Sequence, residues 1–177
     1  MALSDGEKAC CDQIAQRVTK LQNMLSQKFL GNRENPIEWY QYMSQIKAIQ
    51  GNFSNDISFV ATLMAKEYLL RHFEISQFDA TAKAQGAPGS DIDVNTIHGK
   101  RIIGEIKTTA PYMPSDFGAQ QRAMFKKDFD KLNRALADLK FLFVTEQRTF
   151  DLLKRRYSHE IPGVRIVLLT TGEEYVV

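Results

Sequence analysis

Two short stretches carry side chains that could do chemistry together: Gly89-Ser90-Asp91-Ile92-Asp93-Val94 and Gly104-Glu105-Ile106-Lys107-Thr108-Thr109. In an extended strand, residues two apart point to the same face. Glu105 and Lys107 therefore share a face, as do Asp91 and Asp93, while Ile92, Val94, Ile102 and Ile106 fill the opposite one. His98-Gly99-Lys100 separates the two alternating stretches and predicts a β-hairpin that sets the polar rows side by side. Carboxylates gathered in this way repel one another unless a cation sits among them. Hard oxygen ligands suit Mg²⁺, which takes one or two carboxylates together with waters and phosphate oxygens. Such an ion polarises a phosphodiester and lowers the pKa of a bound water. A neighbouring lysine can orient that water and offset charge growing on the phosphate.

An acidic-x-Lys triplet is weak by itself, and Asp138-Leu139-Lys140 also fits it. That copy falls at a helix–strand boundary with no acidic strand before it. Glu105-Ile106-Lys107 instead follows an acid-bearing partner strand across a tight turn. His72, His98 and His159 are scattered, and no P-loop, GxGxxG or CxxC pattern occurs.

The elements that must position these residues are legible from periodicity. Apolar residues at Ile14, Val18, Leu21 and Leu25 predict a helix over 8–29, ended by Gly31-Asn32 and Asn35-Pro36. Further helices are expected over 37–49 and, opened by the cap-forming Ser54, Asn55 and Asp56, over 57–73. Residues 74–80 read as a short strand and 85–90 as a Gly/Pro loop; the hairpin strands follow over 91–97 and 101–109. A loop over 110–118 leads to an amphipathic helix over 119–137, with Phe125, Phe129, Leu132 and Leu136 as its stripe. A strand over 140–145, a short helix over 149–157 and a strand over 164–169 complete the chain. This order predicts an α/β fold with a mixed central sheet flanked by helices. A single domain is expected, with residues 1–53 as an N-terminal helical region and 54–177 as the core.

Asp91, a gap of about one hairpin, and then Glu105-Ile106-Lys107, set in the order helix–β–β–β–helix–β, resemble the PD-(D/E)XK nucleases, of which restriction endonucleases are the best-known members. Pro88 lies three positions before Asp91 instead of beside it. The resemblance implies a restriction endonuclease-like core and Mg²⁺-dependent hydrolysis of double-stranded DNA that leaves a 5′-phosphate. It implies metal ligation by Asp91 and Glu105, with Lys107 placing the attacking water. Either Asp91 or Asp93 fits the first acidic position, and Asp91 is preferred because it emerges directly from the Gly/Pro loop. Many relatives carry a further metal-binding glutamate on the helix before the first strand, and Glu67 resembles it. Glu67 follows Val60, Leu63 and Met64 on one helix face; its alternative is an ion pair with Arg71 at i+4.

For DNA contact, Gln121, Arg122 and Lys126 lie near the sheet-facing start of the helix after the motif, and Thr108 and Thr109 continue the strand of Glu105. Lys127, Lys131 and Arg134 phase to the far side of that helix and read as a solvated face. Cutting both strands needs two sites, so a homodimer or pairing with a second subunit is expected. A repair or junction-resolving nuclease with the same core is the nearest alternative; a non-catalytic DNA-binding module on that scaffold is the next.

Composition sets outer bounds. Net charge is +2, so a polyanion site must arise from clustering of charge and not from bulk basicity. No run approaches the roughly 18 apolar residues of a membrane helix, and the first residues lack an apolar signal core. Cys10 and Cys11 are neighbours and form no disulfide framework, which with the rest reads as a cytoplasmic protein without membrane attachment.

Overall fold

The acidic hairpin belongs to a sheet of five strands in the order β1 (Ile92–Asn95), β2 (Arg101–Lys107), β3 (Leu139–Val144), β4 (Val164–Leu168) and β5 (Glu173–Val176). The computed structural model describes residues 1–27, 34–83, 87–113 and 115–177. The end of the helix read over 8–29, the breaker Gly31-Asn32, and Gln85 and Gly86 of the Gly/Pro loop lie outside the described residues.

β1 and β2 run antiparallel, β2–β3 and β3–β4 parallel, and β4–β5 antiparallel. The two parallel steps need crossovers, and α4 (Ala119–Arg134) and α5 (Gln147–Leu152) supply them. The fold is thus a mixed α/β arrangement with helices on both faces of a mixed sheet. The strand read over 74–80 is reduced to one bridge, Ile75 with Thr96. Further on, Asp79 folds its carboxylate onto Thr81 N and Oγ1, at 2.8 and 2.6 Å, in a turn. β5 is an addition: its polar sequence hid it, and the turn at Gly172 returns it to the edge of β4, where Arg165 pairs with Glu174 at 3.0 Å.

The chain divides into two compact units, 2–56 and 57–177. The first comprises α1 (Asp5–Ser26), α2 (Pro36–Gln50) and the opening turn of α3 (Phe53–His72). Ser4 and Glu7 cap α1 reciprocally, and Asn35 caps α2 ahead of Pro36. Within this unit Arg17 pairs with Asp56.

The second unit holds the sheet and buries both of its faces. On one, Ile103, Leu142, Val144, Ile166 and Leu168 meet Phe125, Phe129 and Leu132 of α4 and Phe150 of α5. On the other, Ile92, Ile102, Phe141, Phe143 and Val167 meet Ala65, Tyr68 and Leu69 of α3. Two helices keep part of the stripe read from sequence and depart from it elsewhere. On α3 the buried positions are Ala61, Leu63, Ala65, Lys66, Tyr68 and Leu69, so Leu63 is buried as read, while Val60 is exposed. The helix of 119–137 stops at Arg134, leaving Leu136 exposed; its buried stripe is Gln121, Phe125, Asp128, Phe129 and Leu132. No helix among the described residues is long and apolar enough to cross a membrane.

Candidate active site

The hairpin register pairs Ile92 with Gly104, which places Asp91 opposite Glu105. Asp91 Oδ2 accepts a hydrogen bond from Ile106 N at 2.8 Å, so the carboxylate is fixed to the strand that carries the rest of the motif. The approach to Asp91 is held too: Ser90 O accepts from Lys83 Nζ, and Gly89 adopts φ +97°, a conformation other residues rarely take. Gly104 matters for a different reason. A Cβ there would lie 3.0 Å from Phe143 Cε2, so only glycine lets that ring pack under the strand next to Glu105.

Glu105 and Ile103 share a face of β2, and that face is covered by α4. Glu105 is consequently only 1% exposed. α4 answers with two side chains, Asp128 and Lys131. Lys107 Nζ lies 2.5 Å from Asp128 Oδ2, an ion pair whose members are 16% and 7% exposed; its angles do not make a directed hydrogen bond. Lys107 also sits over the Phe125 ring, 5.9 Å from its centre. Lys131 Nζ is 3.2 Å from Glu105 Oε2, 3.6 Å from Asp128 Oδ1 and 3.4 Å from Gly89 O. Glu105 Oε1 is buried and has no hydrogen-bond partner.

The site is thus three carboxylates, Asp91, Glu105 and Asp128, against two ammonium groups, Lys107 and Lys131. Burial pushes the Glu105 carboxyl up, and the charges of Asp91 and Asp128 push it further, to about 7 despite the offsetting Lys131. Burial pulls the Lys131 ammonium down, but its bond to Glu105 and the charges of Glu105, Asp128 and Asp91 outweigh that and hold it above its usual value.

The remaining residues singled out by sequence fall elsewhere. Asp93 has both oxygens on Arg101, at 2.9 and 2.7 Å, and that bond holds its carboxyl below the usual range. Glu67 pairs with Arg71 one helical turn on, and α3 packs on the opposite sheet face from Glu105; the structure does not bring it to the cluster. Gln121 is buried and clamps the preceding loop: its Oε1 accepts from Tyr112 N and Gly118 N, and its Nε2 donates to Ala110 O. Both ends of its amide are thus bonded to the backbone around that loop. Arg122 reaches Asp116 at 3.3 Å, beside Arg156 at 3.3 Å and the Tyr157 hydroxyl at 2.5 Å. Lys126 is exposed, Thr108 half-buried, and Thr109 exposed, with its carbonyl bonded to Thr149 Oγ1 at 2.7 Å.

Sequence reasoning missed Asp128 and misplaced Lys131. Lys131 is not on a purely solvated face; it leans across the end of α4 to the strand. Asp128 had a signal: it falls three residues after Phe125 and next to Phe129, on the apolar stripe, where a carboxylate needs a cationic partner.

Among the described residues no group of three or more His, Cys, Asp and Glu has a geometry that would hold a metal ion. Asp91 and Glu105 are two carboxylates, and Asp128 is engaged by both lysines. Two carboxylates, one with a buried acceptor lacking any donor, fit a hard divalent ion that keeps most of its shell as water and phosphate. No family model, curated protein or solved structure matches the chain.

Proposed function

We propose that residues 57–177 form a Mg²⁺-dependent endodeoxyribonuclease of the PD-(D/E)XK type, with a restriction endonuclease-like core, hydrolysing phosphodiester bonds of double-stranded DNA as a type II restriction enzyme does. The observation that carries this reading is Glu105 Oε1, a buried acceptor without a donor, set opposite Asp91 and two residues before Lys107 on one strand face. Asp91 and Glu105 would hold the ion. Once bound, the ion would polarise the scissile phosphate and make a water acidic enough to attack it. Lys107 orients that water and meets the charge that grows on the phosphate oxygens. Asp128 holds the Lys107 ammonium at a fixed point above β2, so that the arm is ordered before substrate arrives. Lys126, exposed on α4 and without an ion pair among the described residues, would be a cation available to a neighbouring phosphate. A homodimer would supply the second site for the second strand. The exposed Trp39, Tyr40 and Met43 of α2 support a pairing surface in the first unit.

Plasmid digestion with and without Mg²⁺ tests the reading. Cleavage should require the ion and stop in excess EDTA. Lys107→Ala should bind DNA but cut slower by about 10²–10³, whereas Lys140→Ala, in the second acidic-x-Lys triplet, should cut like the wild type. Undiminished cleavage by Lys107→Ala would overturn the assignment.

A further inference from the structure

The Lys131 ammonium stands where three oxygens converge from three parts of the chain: Glu105 Oε2 on β2, Asp128 Oδ1 on α4 and Gly89 O on the loop before Asp91. Its contacts, at 3.2–3.6 Å, are those of an ammonium group held loosely among oxygen atoms. The side chain is nonetheless 43% exposed, so its arm can leave without opening the core. Beside it, Glu105 Oε1 is buried and still lacks a donor, so the ammonium satisfies only one of the two oxygens of that carboxylate.

We propose that Lys131 is a tethered counter-ion: it neutralises Glu105 in the metal-free protein and competes with a divalent cation for that carboxylate. This rests on the reading of Asp91 and Glu105 as a divalent-ion site. Both cations need the charge of Glu105, and like charges at that distance repel, so each weakens the hold of the other. The second lysine cannot play this part. Lys107 is 16% exposed and faces Asp128, not Glu105. Lys131 therefore sets the ion concentration at which the site fills, and its displacement couples filling to movement of a positive side chain at the mouth of the site.

Titration calorimetry of MgCl₂, and separately MnCl₂, into the full chain tests the proposal without any cleavage assay. Lys131→Met should bind either ion roughly two- to fivefold tighter than the wild type, the coupling expected of one partly exposed ion pair. Lys131→Arg, which keeps the charge, should bind like the wild type. Equal or weaker binding by Lys131→Met, with the wild type binding normally, overturns the counter-ion role and leaves the metal reading standing. No binding by the wild type or either variant overturns the metal reading, and the proposal with it. Should Lys131→Met not fold, the wild-type protein labelled with ¹³Cε-lysine still decides: the Lys131 signal should shift as Mg²⁺ saturates, with Lys140 unmoved. A Lys131 signal that stays in place at saturation refutes displacement.

Discussion

Replacing Glu105 with glutamine keeps the shape of the side chain and removes its charge, and the metal-free protein should become more stable at alkaline pH. Burial is the largest reason the carboxyl rises from its ordinary 4.5 to about 7. Between those values the folded chain keeps a proton that the unfolded chain has lost. Stability therefore falls as pH rises through this window, and the full penalty is in place above it. At about 1.4 kcal/mol for each tenfold change in acidity, the rise from 4.5 to about 7 makes the penalty at most about 3.5 kcal/mol. Glutamine escapes it, and the attraction of Lys131 is already contained in that figure, because it holds the Glu105 carboxyl lower than burial and the neighbouring carboxylates alone would. Glu105→Gln should thus exceed the wild type by up to about 3 kcal/mol at pH 8.5, and the gap should close near pH 4.5. Tryptophan fluorescence is the wrong probe, since Trp39, the one tryptophan, lies in the first unit. Urea unfolding followed through the methyl resonances of Ile102 and Ile103 reports the unit that carries the site. A gap that stays constant from pH 5 to 8.5, or a wild type more stable than the variant at pH 8.5, would refute the account of Glu105 as a buried, under-compensated carboxylate.

Two further outcomes follow from the surroundings of the cluster. Gly104→Ala should cost about 1–3 kcal/mol in the same unfolding assay, because the added Cβ meets the Phe143 ring at 3.0 and 3.3 Å and that ring is packed between strand and α3; an unchanged midpoint would show that the ring can give way. Lys126→Ala should weaken DNA binding alike for all sequences and reduce the dependence of log affinity on log salt by about one unit. Arg122→Ala should leave that slope nearly unchanged, because Arg122 is held by Asp116, and fluorescence anisotropy over a salt series would separate the two.

What the sequence revealed of the site was the part ruled by strand geometry. A period of two puts Glu105 and Lys107 on one face, and a tight turn puts Asp91 across from Glu105, whatever packs against them. The α/β class and the hairpin followed from the same kind of local pattern. What stayed hidden depended on tertiary packing. On α3 the burial of Ala61 and Ala65 was not legible, because their small size says little in a hydrophobicity count, and Glu67 takes the alternative read for it, the ion pair with Arg71. The stripe of α4 was read as purely apolar, so Asp128 passed unnoticed within it, and Lys131 was assigned outward because only its long arm, not its Cα position, carries it back to Glu105. Gln121 looked like a ligand-facing amide, but its bonds are spent on the backbone of the loop before α4. β5 was missed because an edge strand needs one apolar face at most, and Glu173-Glu174-Tyr175-Val176 barely shows one.

The cluster could be taken for a structural salt-bridge network, and the energetics argue against that. Buried ion pairs stabilise poorly, and well-packed apolar side chains often do as well or better. This sheet face accommodates apolar side chains readily: Ile103 precedes Glu105 on it, and Leu142 and Val144 lie on the neighbouring strand. A network built for stability would also balance its charges and satisfy its oxygens. Here three carboxylates face two ammonium groups, and Glu105 Oε1 is left buried without a donor. The imbalance is gathered at the carboxyl end of β2, beside the parallel strand β3, where α/β sheets tend to bind ligands. Asp128 Oδ2 also lacks a hydrogen-bond donor but faces the Lys107 ammonium, whereas Glu105 combines a raised carboxyl with an oxygen that has neither donor nor cation, so a single cation with a hard oxygen shell would relieve both deficits there. The lysine arms that the metal-free protein holds there are then positioned to meet whatever anion the cation brings.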